Sequence, residues 1–377
     1  MTTPWIAGRG LIRFGRHDEE TVETLAARAA REALYEAGVG PDQIGMVVFA
    51  NALAARLSGS VTVGQDAMAH LGISGCAVMN VENACTSGST AFHVACMAIR
   101  AGDMDVVLVV GAEKMFLPTL GLIDSGKRLP DTLLGMVTPA GFALRANRHM
   151  ERFGTTVEQL AAVSVKNRRA AVANPFAMMQ NEITLEDVFS APMIADPLTR
   201  LQCSPIADGA AAVVLTGPER ARQLGARTKV RASVLTSGCY DETNDLSEWE
   251  TDRRTSRIAY EKAGVTAGEL DVVECHDAFS IAEILHYEGL GLCDPGEGGR
   301  YAERLLAGDP ECVPVNPSGG LLSRGHPVAA TGVAQIIEVS RFLDRKRKSG
   351  LGLAHCMGGD KDADTKSCTI AILEAMG

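Results

Sequence analysis

The sequence predicts an α/β protein made of two similar halves, and three observations indicate it. Hydrophobic residues make up 46% of the chain, aromatic residues make up only 5% of it, and 39 residues are glycine. This composition is typical of closely packed parallel strands and helices. A chain of 377 residues can bury one large core or two medium ones. Residues 33–48 and 259–274 both read as a helix, an Ala-Gly-Val stop, a turn and a buried strand. This repeated order indicates a duplication.

Charge and cysteine content narrow the class of protein. The formal net charge is −10, and the densest basic run, residues 341–348, is interpreted as the end of a helix rather than a nucleic-acid surface. The ten cysteines include no CxxC pair, which favours a reducing compartment. The N-terminus does not resemble a leader, and no apolar run is long enough to span a membrane. We therefore expect a soluble, cytoplasmic protein that binds neither nucleic acid nor membranes.

The first half, residues 1–218, is predicted to place a strand, a turn and a helix around one cysteine. The strand reads VMNVEN, the turn falls at Ala84-Cys85, and the helix ends at Gly102 before a buried strand, VVLVVGAEK. Residues 119–205, which are rich in Met and punctuated by Pro, are predicted to form an irregular, lid-like insertion. The chain then returns to a buried strand of the first half.

The second half, residues 219–377, is predicted to repeat this plan. The segment CVPVNPSGGLLSRGHPVAATG reads as a strand, a long Gly-rich loop and the start of a helix, and SGLGLAHCMGG reads as the matching buried strand. Two βαβ-type halves whose related turns meet at one place are the predicted architecture.

Cys85 is placed as a nucleophile would be. It precedes a helix that opens with Thr86, Ser87 and Gly88, so the helix dipole and free backbone N–H groups are expected to lower the pKa of its thiol. The alternative is a small buried core residue, which is also our interpretation of Cys96.

His326 and Cys356 have similar positions in the second half. His326 lies in a Gly-rich loop before Pro327, where a histidine can act as a base or can simply cap a helix. Cys356 follows a strand and precedes Gly358, which suits either a second reactive thiol or a structural cysteine.

His276 and Asp277 end the predicted strand VVEC. Ligand sites of α/β proteins lie at such strand ends, so His276 is a candidate site residue, although a structural role remains open. Asp277 is interpreted as the cap of the next helix, which is predicted to begin at about Ala278.

These segments together resemble the thiolase superfamily. ENACTSGSTA resembles its nucleophile segment, HDAF its asparagine-or-histidine segment, NPSGGLLSRGHPVAATG its histidine segment and CMGG its final segment. They occur in the family's order and spacing over essentially the whole chain. The resemblance implies two α/β halves in a five-layered αβαβα core, with a loop domain inserted in the first half.

The resemblance also implies a role for each site residue. Cys85 accepts the acyl group, His326 is the base that activates it, and Cys356 is the acid/base for the other reaction partner. His326 and His276 form one oxyanion hole, while the backbone N–H groups of Cys85 and Gly358 form a second. Phe279 and Asn316, which lie in the matching segments, are expected to contact substrate.

The implied reaction cleaves a 3-ketoacyl-CoA with CoA, or condenses two acyl-CoA esters in reverse, through a covalent thioester. HDAF resembles the segment HDxF of the thiolases related to sterol carrier protein X, although those commonly have Cys where Ala278 stands. That subgroup often lacks a cysteine at the position of Cys356, whereas the degradative and biosynthetic thiolases have one. A branched or ring-bearing acyl chain is in keeping with HDxF.

Three other functions stay open on the sequence. The first is acyl transfer to an acceptor other than CoA, and the second is carbon–carbon cleavage by a thiolase-like lyase that works with a partner protein. The third is an acyl-CoA-binding protein without catalysis, which the presence of both Cys85 and His326 disfavours.

The resemblance further implies a homodimer or homotetramer, and it admits a small zinc-ribbon/OB-fold partner. We expect no metal and no organic cofactor, because the histidines are not spaced as a ligand set and CoA is a substrate.

Overall fold

The computed structural model describes residues 2–57, 59–117, 130–133, 135–240, 243–346 and 349–376. Its strands are β1 (Trp5–Leu11), β2 (Met46–Ala50), β3 (Ala77–Val81), β4 (Val106–Glu113), β5 (Met193–Ala195), β6 (Leu198–Thr199), β7 (Gly209–Thr216), β8 (Thr228–Ser237), β9 (Val272–Glu274), β10 (Gly350–Lys361) and β11 (Asp364–Ala375). Its α-helices are α1 (Val22–Ala37), α2 (Ala54–Leu57), α3 (Val63–Ala69), α4 (Ser87–Ala101), α5 (Pro130–Leu133), α6 (Thr138–Phe153), α7 (Val157–Ala171), α8 (Leu185–Ser190), α9 (Pro218–Leu224), α10 (Glu250–Ala263), α11 (Ser280–Gly289), α12 (Gly298–Ala307), α13 (Gly320–Arg324) and α14 (Val328–Arg345).

The two halves have the same sheet topology, which confirms the predicted duplication. In the first half the strand order is β3-β2-β4-β7-β1, and in the second it is β9-β10-β11-β8, with an isolated bridge from Val315 to Val273 standing where the first half has β3. In both halves the strands toward the outer edge of the sheet are parallel to one another, and the two strands nearest the other half are antiparallel. A short antiparallel pairing of β1 with β8 joins the halves into one sheet.

Successive side chains of the strands belong to different hydrophobic clusters, which divide the core into layers. On β4, Val107 and Val109 face a core shared with α4 and α14, whereas Leu108 faces α1 and α3. On β11, Ala371 faces α14, whereas Ile370 faces the cluster that includes α10 and α11. Because successive side chains of a strand point to opposite faces, each half of the sheet is covered on both sides. Helices α4 and α14 lie between the halves, which gives the αβαβα arrangement.

The insertion between β4 and β7 differs from the prediction of an irregular segment. Among its described residues are two long helices, α6 and α7, while residues 119–129 of the predicted insertion lie outside the described part of the chain. A capping box at Thr156 begins α7, a signal that the sequence analysis did not use. Buried residues of α7, such as Leu160 and Val163, belong to the core of the second half. The insertion is therefore packed into the molecule rather than laid over it as a lid.

The two strands that flank α4 differ in their position in the sheet. β3 is an edge strand and exposes Met79, whereas β4 lies between β2 and β7 and is fully buried.

Within the described residues, no helix combines the length and apolar character that crossing a membrane requires.

Candidate active site

Cys85 lies in a hydrogen-bonded turn directly before α4. Ala84 has a φ of 47°, in the left-handed region that non-glycine residues adopt infrequently. The hydroxyls of Thr86 and Ser87 donate to the carbonyls of Asn83 and Ala84, both at 2.6 Å, and the N–H of Asn83 donates to the Ser87 hydroxyl at 2.8 Å. These bonds hold the turn in a conformation that presents the thiol at the end of the helix.

The fold brings Cys85, His276 and His326 together from three separate segments. The Cys85 sulfur and one nitrogen of each imidazole all lie within 4.8 Å of one another. The two rings meet edge to face, with centroids 5.2 Å apart. The sequence predicted each of these residues as a site residue, and their convergence places one thiol beside two imidazoles.

The hydrogen bonds of His326 identify the nitrogen that can take a proton. Its Nδ1 lies 2.7 Å from the hydroxyl of Thr331, and that hydroxyl lies 3.0 Å from the carbonyl of Pro327. A carbonyl can only accept, so Thr331 donates to Pro327 and accepts from Nδ1–H of His326. The remaining nitrogen, Nε2, is therefore unprotonated and free to act as a base.

Burial keeps both members of this pair neutral. It raises the pKa of the Cys85 thiol to about 12, with the Glu113 carboxylate adding to the effect. The expected lowering of this pKa by the helix dipole is thus outweighed by loss of solvent. Burial and the nearby Arg324 lower the pKa of His326 to about 4. The resting site holds a thiol and a neutral imidazole, so the thiolate has to form as His326 takes the proton.

Cys356 lies below the nucleophile turn. Its side chain is 1% exposed, and its thiol donates to the carbonyl of Cys85 at 3.2 Å. Burial and the neighbouring Cys85 raise the pKa of Cys356 well above its ordinary value. The side chain is therefore a neutral thiol in contact with the backbone of the nucleophile, on the same face of β10 as Gly358.

Gly358 lies against the nucleophile turn so closely that a side chain would not fit. A Cβ at this position would be 2.9 Å from the backbone nitrogen of Cys85 and 3.1 Å from that of Thr86. Both neighbours are backbone atoms, so the turn itself would have to move. The close approach brings the backbone of β10 directly against the turn that carries Cys85.

We expect Gly358→Ala to lower turnover about 10²-fold, because a shift of about 1 Å in a reacting group costs this much, and to destabilise the fold by about 1–3 kcal/mol through overpacking. Steady-state kinetics and thermal unfolding measure the two effects. Gly141→Ala is the matched control, since a Cβ at Gly141 in α6 meets no atom within 4 Å. Equal activity of the two variants would contradict the close approach at Gly358.

Asp277 caps a different helix from the one predicted. The following helix, α11, begins at Ser280 with Phe279 as N-cap and without a side-chain cap. Instead the Asp277 carboxylate accepts from the N–H groups of Leu321 (2.7 Å) and Leu322 (3.2 Å) in α13. Asp277 follows His276 directly, and α13 leads into His326, so this buried carboxylate holds together the two loops that carry the histidines.

Asn316 is not placed to bind substrate, which corrects the sequence-based assignment. It is 0% exposed, its amide oxygen accepts from the N–H of Cys275 at 2.9 Å, and its amide nitrogen donates to Glu283 at 2.7 Å. Lys166 forms an ion pair with Glu283 at 2.8 Å, and Asn167 donates to both Glu283 and Asp277. This network attaches α7 of the insertion to the loops around the site.

Phe279 lies at the wall between the insertion and the second half. Its ring stacks on Phe142 of α6 with centroids 4.2 Å apart, and its backbone forms a bridge with Cys203. Phe279 is 7% exposed, so little of its ring faces solvent in the structure.

Glu113 is a site residue that the sequence analysis missed. This buried residue ends β4 and accepts from the N–H groups of Ala52, Leu53 and Ala329. Burial raises the pKa of its carboxyl to about 7. The available signal was the glutamate that ends the otherwise apolar strand VVLVVGAE, because ligand sites of α/β proteins lie at strand ends.

Comparisons with known proteins agree with this geometry. The family model "Thiolase, N-terminal domain" matches residues 6–219, and "Thiolase C-terminal domain-like" matches residues 232–368. The chain is 38% identical to "Benzoylsuccinyl-CoA thiolase subunit BbsB" of Thauera aromatica, over 88% of this chain and 86% of that protein. It is 36% identical to "Acetyl-CoA acetyltransferase" of Methanothermobacter thermautotrophicus, over 94% of this chain and 96% of that protein.

A third relative and a solved structure extend the comparison. "Sterol carrier protein 2" of Homo sapiens is 34% identical over 89% of this chain, which spans only 65% of that protein. The structure "Ltp2-ChsH2(DUF35) aldolase" superposes with a TM-score of 0.80, covering 99% of this chain and 98% of that one at 23% identity. An identity this low supports a shared fold only.

Proposed function

The chain belongs to the thiolase family and is an acyl-CoA C-acyltransferase, and we propose that it works through an acyl-enzyme on Cys85 with His326 as the base. The observation that carries this proposal is the convergence of the Cys85 sulfur with the two imidazoles of His276 and His326. A thiol next to an unprotonated imidazole nitrogen is the arrangement that nucleophilic acyl transfer needs.

The first half-reaction loads the acyl group onto Cys85. The Cys85 sulfur attacks the 3-keto carbon while its proton passes to Nε2 of His326. The oxygen that becomes negative is stabilised by donors from His276 and His326, because fixed donors in a buried site cost no reorganisation as charge develops. When the bond between C2 and C3 breaks, the acyl group stays on sulfur as a thioester and the other fragment leaves as a CoA-ester enolate.

The second half-reaction returns the protons. Cys356 protonates the enolate and becomes a thiolate, and the oxygen of the enolate lies near the backbone N–H groups of Cys85 and Gly358. The Cys356 thiolate then removes the proton of incoming CoA, whose sulfur takes the acyl group. The released Cys85 thiolate recovers its proton from His326. Each step is reversible, so the same groups perform the condensation.

We further propose a 3-ketoacyl-CoA with a branched or ring-bearing acyl chain as the substrate class. Two observations support this choice: the relative from Thauera aromatica is named for benzoylsuccinyl-CoA, and the site carries His276 in a segment HDxF. Phe142, which stacks on the buried ring of Phe279 and stays partly exposed itself, offers aromatic surface beside the histidine loop for such a chain.

Intact-protein mass spectrometry tests the acyl-enzyme. The protein is exposed briefly to acetyl-CoA and to 3-ketoacyl-CoA esters with straight, α-methyl and phenyl-bearing chains, and free CoA is then added. We expect an adduct that maps to Cys85 by peptide analysis and disappears with CoA, with the greatest loading by the preferred class. A carbon–carbon lyase would cleave its substrate without an adduct, and transfer to another acceptor would leave an adduct that CoA does not discharge.

The pH dependence of Cys85 alkylation is a further prediction. With the pKa of Cys85 raised to about 12 and that of His326 lowered to about 4, no resident thiolate–imidazolium pair exists near neutral pH. The rate of alkylation by iodoacetamide should therefore rise about tenfold per pH unit between about pH 6 and 9, without a plateau. Peptide mapping follows the alkylated site. A rate that is constant down to about pH 5 would reveal a thiolate that persists and would contradict the neutral pair.

The assembly and location of the protein are also proposals. We propose a homodimer or homotetramer formed along the edge strand β3, because this strand exposes Met79 and, among the described residues, pairs with a strand on one side only. The Thauera aromatica relative is named as a subunit, so we also propose a partner protein of the zinc-ribbon/OB-fold type. The absence of a CxxC pair among ten cysteines supports a cytoplasmic location.

A further inference from the structure

A buried polar cluster lies behind the active site on the outer side of the second-half sheet. Asp252 of α10, His286 of α11 and His355 of β10 are each 0–1% exposed. Asp252 contacts both imidazoles through its two carboxylate oxygens: Nδ1 of His286 lies at 2.6 Å and Nε2 of His355 at 3.0 Å. The other nitrogen of His286, Nε2, lies 3.1 Å from the backbone carbonyl of His276. The reaction scheme above does not use these three side chains.

The contacts of His286 determine its protonation. A backbone carbonyl can only accept a hydrogen bond, so Nε2 of His286 donates to His276. Burial disfavours the charged form of Asp252, but the two imidazoles outweigh burial and hold the pKa of its carboxyl below the ordinary value. Asp252 is therefore an ionised carboxylate, which can only accept hydrogen bonds. Nδ1 of His286 therefore also donates. An imidazole that donates from both nitrogens carries a positive charge.

His355 completes the assignment. Its Nε2 faces the same carboxylate and donates, whereas its Nδ1 is buried without a hydrogen-bond partner among the described residues. A proton on Nδ1 of His355 would be a buried donor without an acceptor, next to a cluster that already contains one cation, and would cost more free energy than an unpaired lone pair on the same atom. His355 is therefore neutral. The cluster then holds one anion, one cation and one neutral imidazole.

We propose that Asp252 and His286 form a buried ion pair that positions His276 and keeps His276 uncharged during acyl transfer. The proposal rests on the proposed role of His276 in the site. His286 acts as a positioning residue, because its Nε2–H donates to the backbone carbonyl of His276 at 3.1 Å.

The charges around His276 favour its neutral form. The pKa of His276 lies well below its ordinary value because of burial first, then the nearby His326, His286 and His355, while Asp252 acts in the opposite direction. Its Nε2 is buried without a hydrogen-bond partner among the described residues and is left for a substrate oxygen. A proton on His276 would repel the one that His326 receives from Cys85, because the two rings are 5.2 Å apart.

Other groups that face His286 fit a cation at this site. Trp249 stacks on its ring with centroids 4.9 Å apart and nearly parallel planes, and the face of an aromatic ring attracts positive charge. Arg145 lies over the same indole at 4.5 Å but is itself paired with Asp360 at 3.0 Å. The thiol of Cys368 lies 3.8 Å from Asp252, and burial and Asp252 keep the pKa of this thiol well above its ordinary value.

Nitrogen NMR of protein labelled with ¹⁵N-histidine tests the ion pair without reference to activity. We expect one buried ring, assigned by its loss in His286→Gln, to carry a proton on each nitrogen at pH 7, because both nitrogens face groups that can only accept. In Asp252→Asn the same ring should lose one proton. A singly protonated His286 in the wild type at pH 7 overturns the proposal, as does a stoichiometric metal ion found between Asp252 and His355 by elemental analysis.

A kinetic comparison tests the effect on His276. In His286→Gln the amide can still donate to the His276 carbonyl, but the charge is lost and Asp252 remains, so a proton binds His276 more readily. The low-pH limb of Cys85 acylation should move up by about one pH unit. His149→Gln is the matched control, because His149 is also buried and paired with a carboxylate, Glu288 at 3.1 Å, but lies in α6. A uniform loss of rate with an unmoved limb would mean that His286 is only structural.

These outcomes separate the inference from the proposed function. An acyl adduct on Cys85 together with a singly protonated His286 would retain the mechanism and reject the ion pair. A doubly protonated His286 in a protein that forms no acyl adduct would establish the ion pair but remove its assigned role in acyl transfer.

Discussion

Replacing Cys85 with alanine abolishes acyl transfer in our expectation, with turnover falling by at least about 10³-fold. The variant lacks the only atom that can hold the acyl group in the proposed scheme, and neither His276 nor His326 forms an equivalent thioester. The fold should survive, because Cys85 is partly buried against a small apolar cluster that contains Leu53, Met115 and Val328. Removing one sulfur atom there costs about 1 kcal/mol.

Two measurements on the same sample separate these effects. Intact mass after exposure to a 3-ketoacyl-CoA should show no adduct, and thermal unfolding should stay close to the wild type. Cys239→Ala is the control, because Cys239 is an exposed free cysteine distant in sequence from the motifs of the site. Persistence of a CoA-labile adduct in Cys85→Ala would assign the nucleophile to another residue.

The parts of the fold that local pattern determines were predictable. The helix–stop–turn–strand order of residues 33–48 and 259–274 led to two halves, and the structure has the same strand order in both. Gly102, which was predicted to end the helix after Cys85, is its C-cap and is left-handed at φ 79°. Such signals depend on residues that are near one another in the chain, so the sequence displays them directly.

Contacts between distant segments were not predictable in the same way. Asp277 was expected to cap the helix after it, but α13 approaches from the second-half loop and its N–H groups of Leu321 and Leu322 donate to the carboxylate. Asn316 lies in a segment of the family pattern, yet its amide is used entirely by Glu283 and the backbone of Cys275. Neither partner can be inferred from spacing, since each is fixed only when the insertion helix α7 packs against the second half.

The pKa values of the site residues could not be predicted from the sequence either. The position of Cys85 before a helix predicted a lowered thiol pKa, because the helix dipole can be seen in the sequence. The desolvation that raises this pKa to about 12 depends on how much protein surrounds the sulfur, which is a property of the folded chain. Burial likewise lowers the pKa of His326 to about 4, so its imidazole is neutral near pH 7, as the proposed role of a base requires.

Replacing Cys356 with alanine should separate the two half-reactions. The raised pKa of this thiol makes it a neutral proton donor, and the proposed scheme assigns it both to the enolate and to the incoming CoA. Cleavage and condensation should fall by about 10²–10⁴-fold, the range for loss of a general acid–base group. Some acylation of Cys85 by acetyl-CoA should survive, because His326 still takes the proton of the nucleophile and CoA can leave as a thiolate without a proton from Cys356.

Exchange of the methyl protons of acetyl-CoA with D₂O measures enolate formation alone, and intact mass measures loading alone. In Cys356→Ala we expect the exchange to disappear while the adduct on Cys85 forms. Cys96→Ala is the matched control, since Cys96 is equally buried, in α4, and burial likewise raises the pKa of its thiol to about 12. Wild-type exchange in Cys356→Ala would move the proton transfer to another group. His276 is then the nearest candidate, because its unpaired nitrogen is already directed into the site.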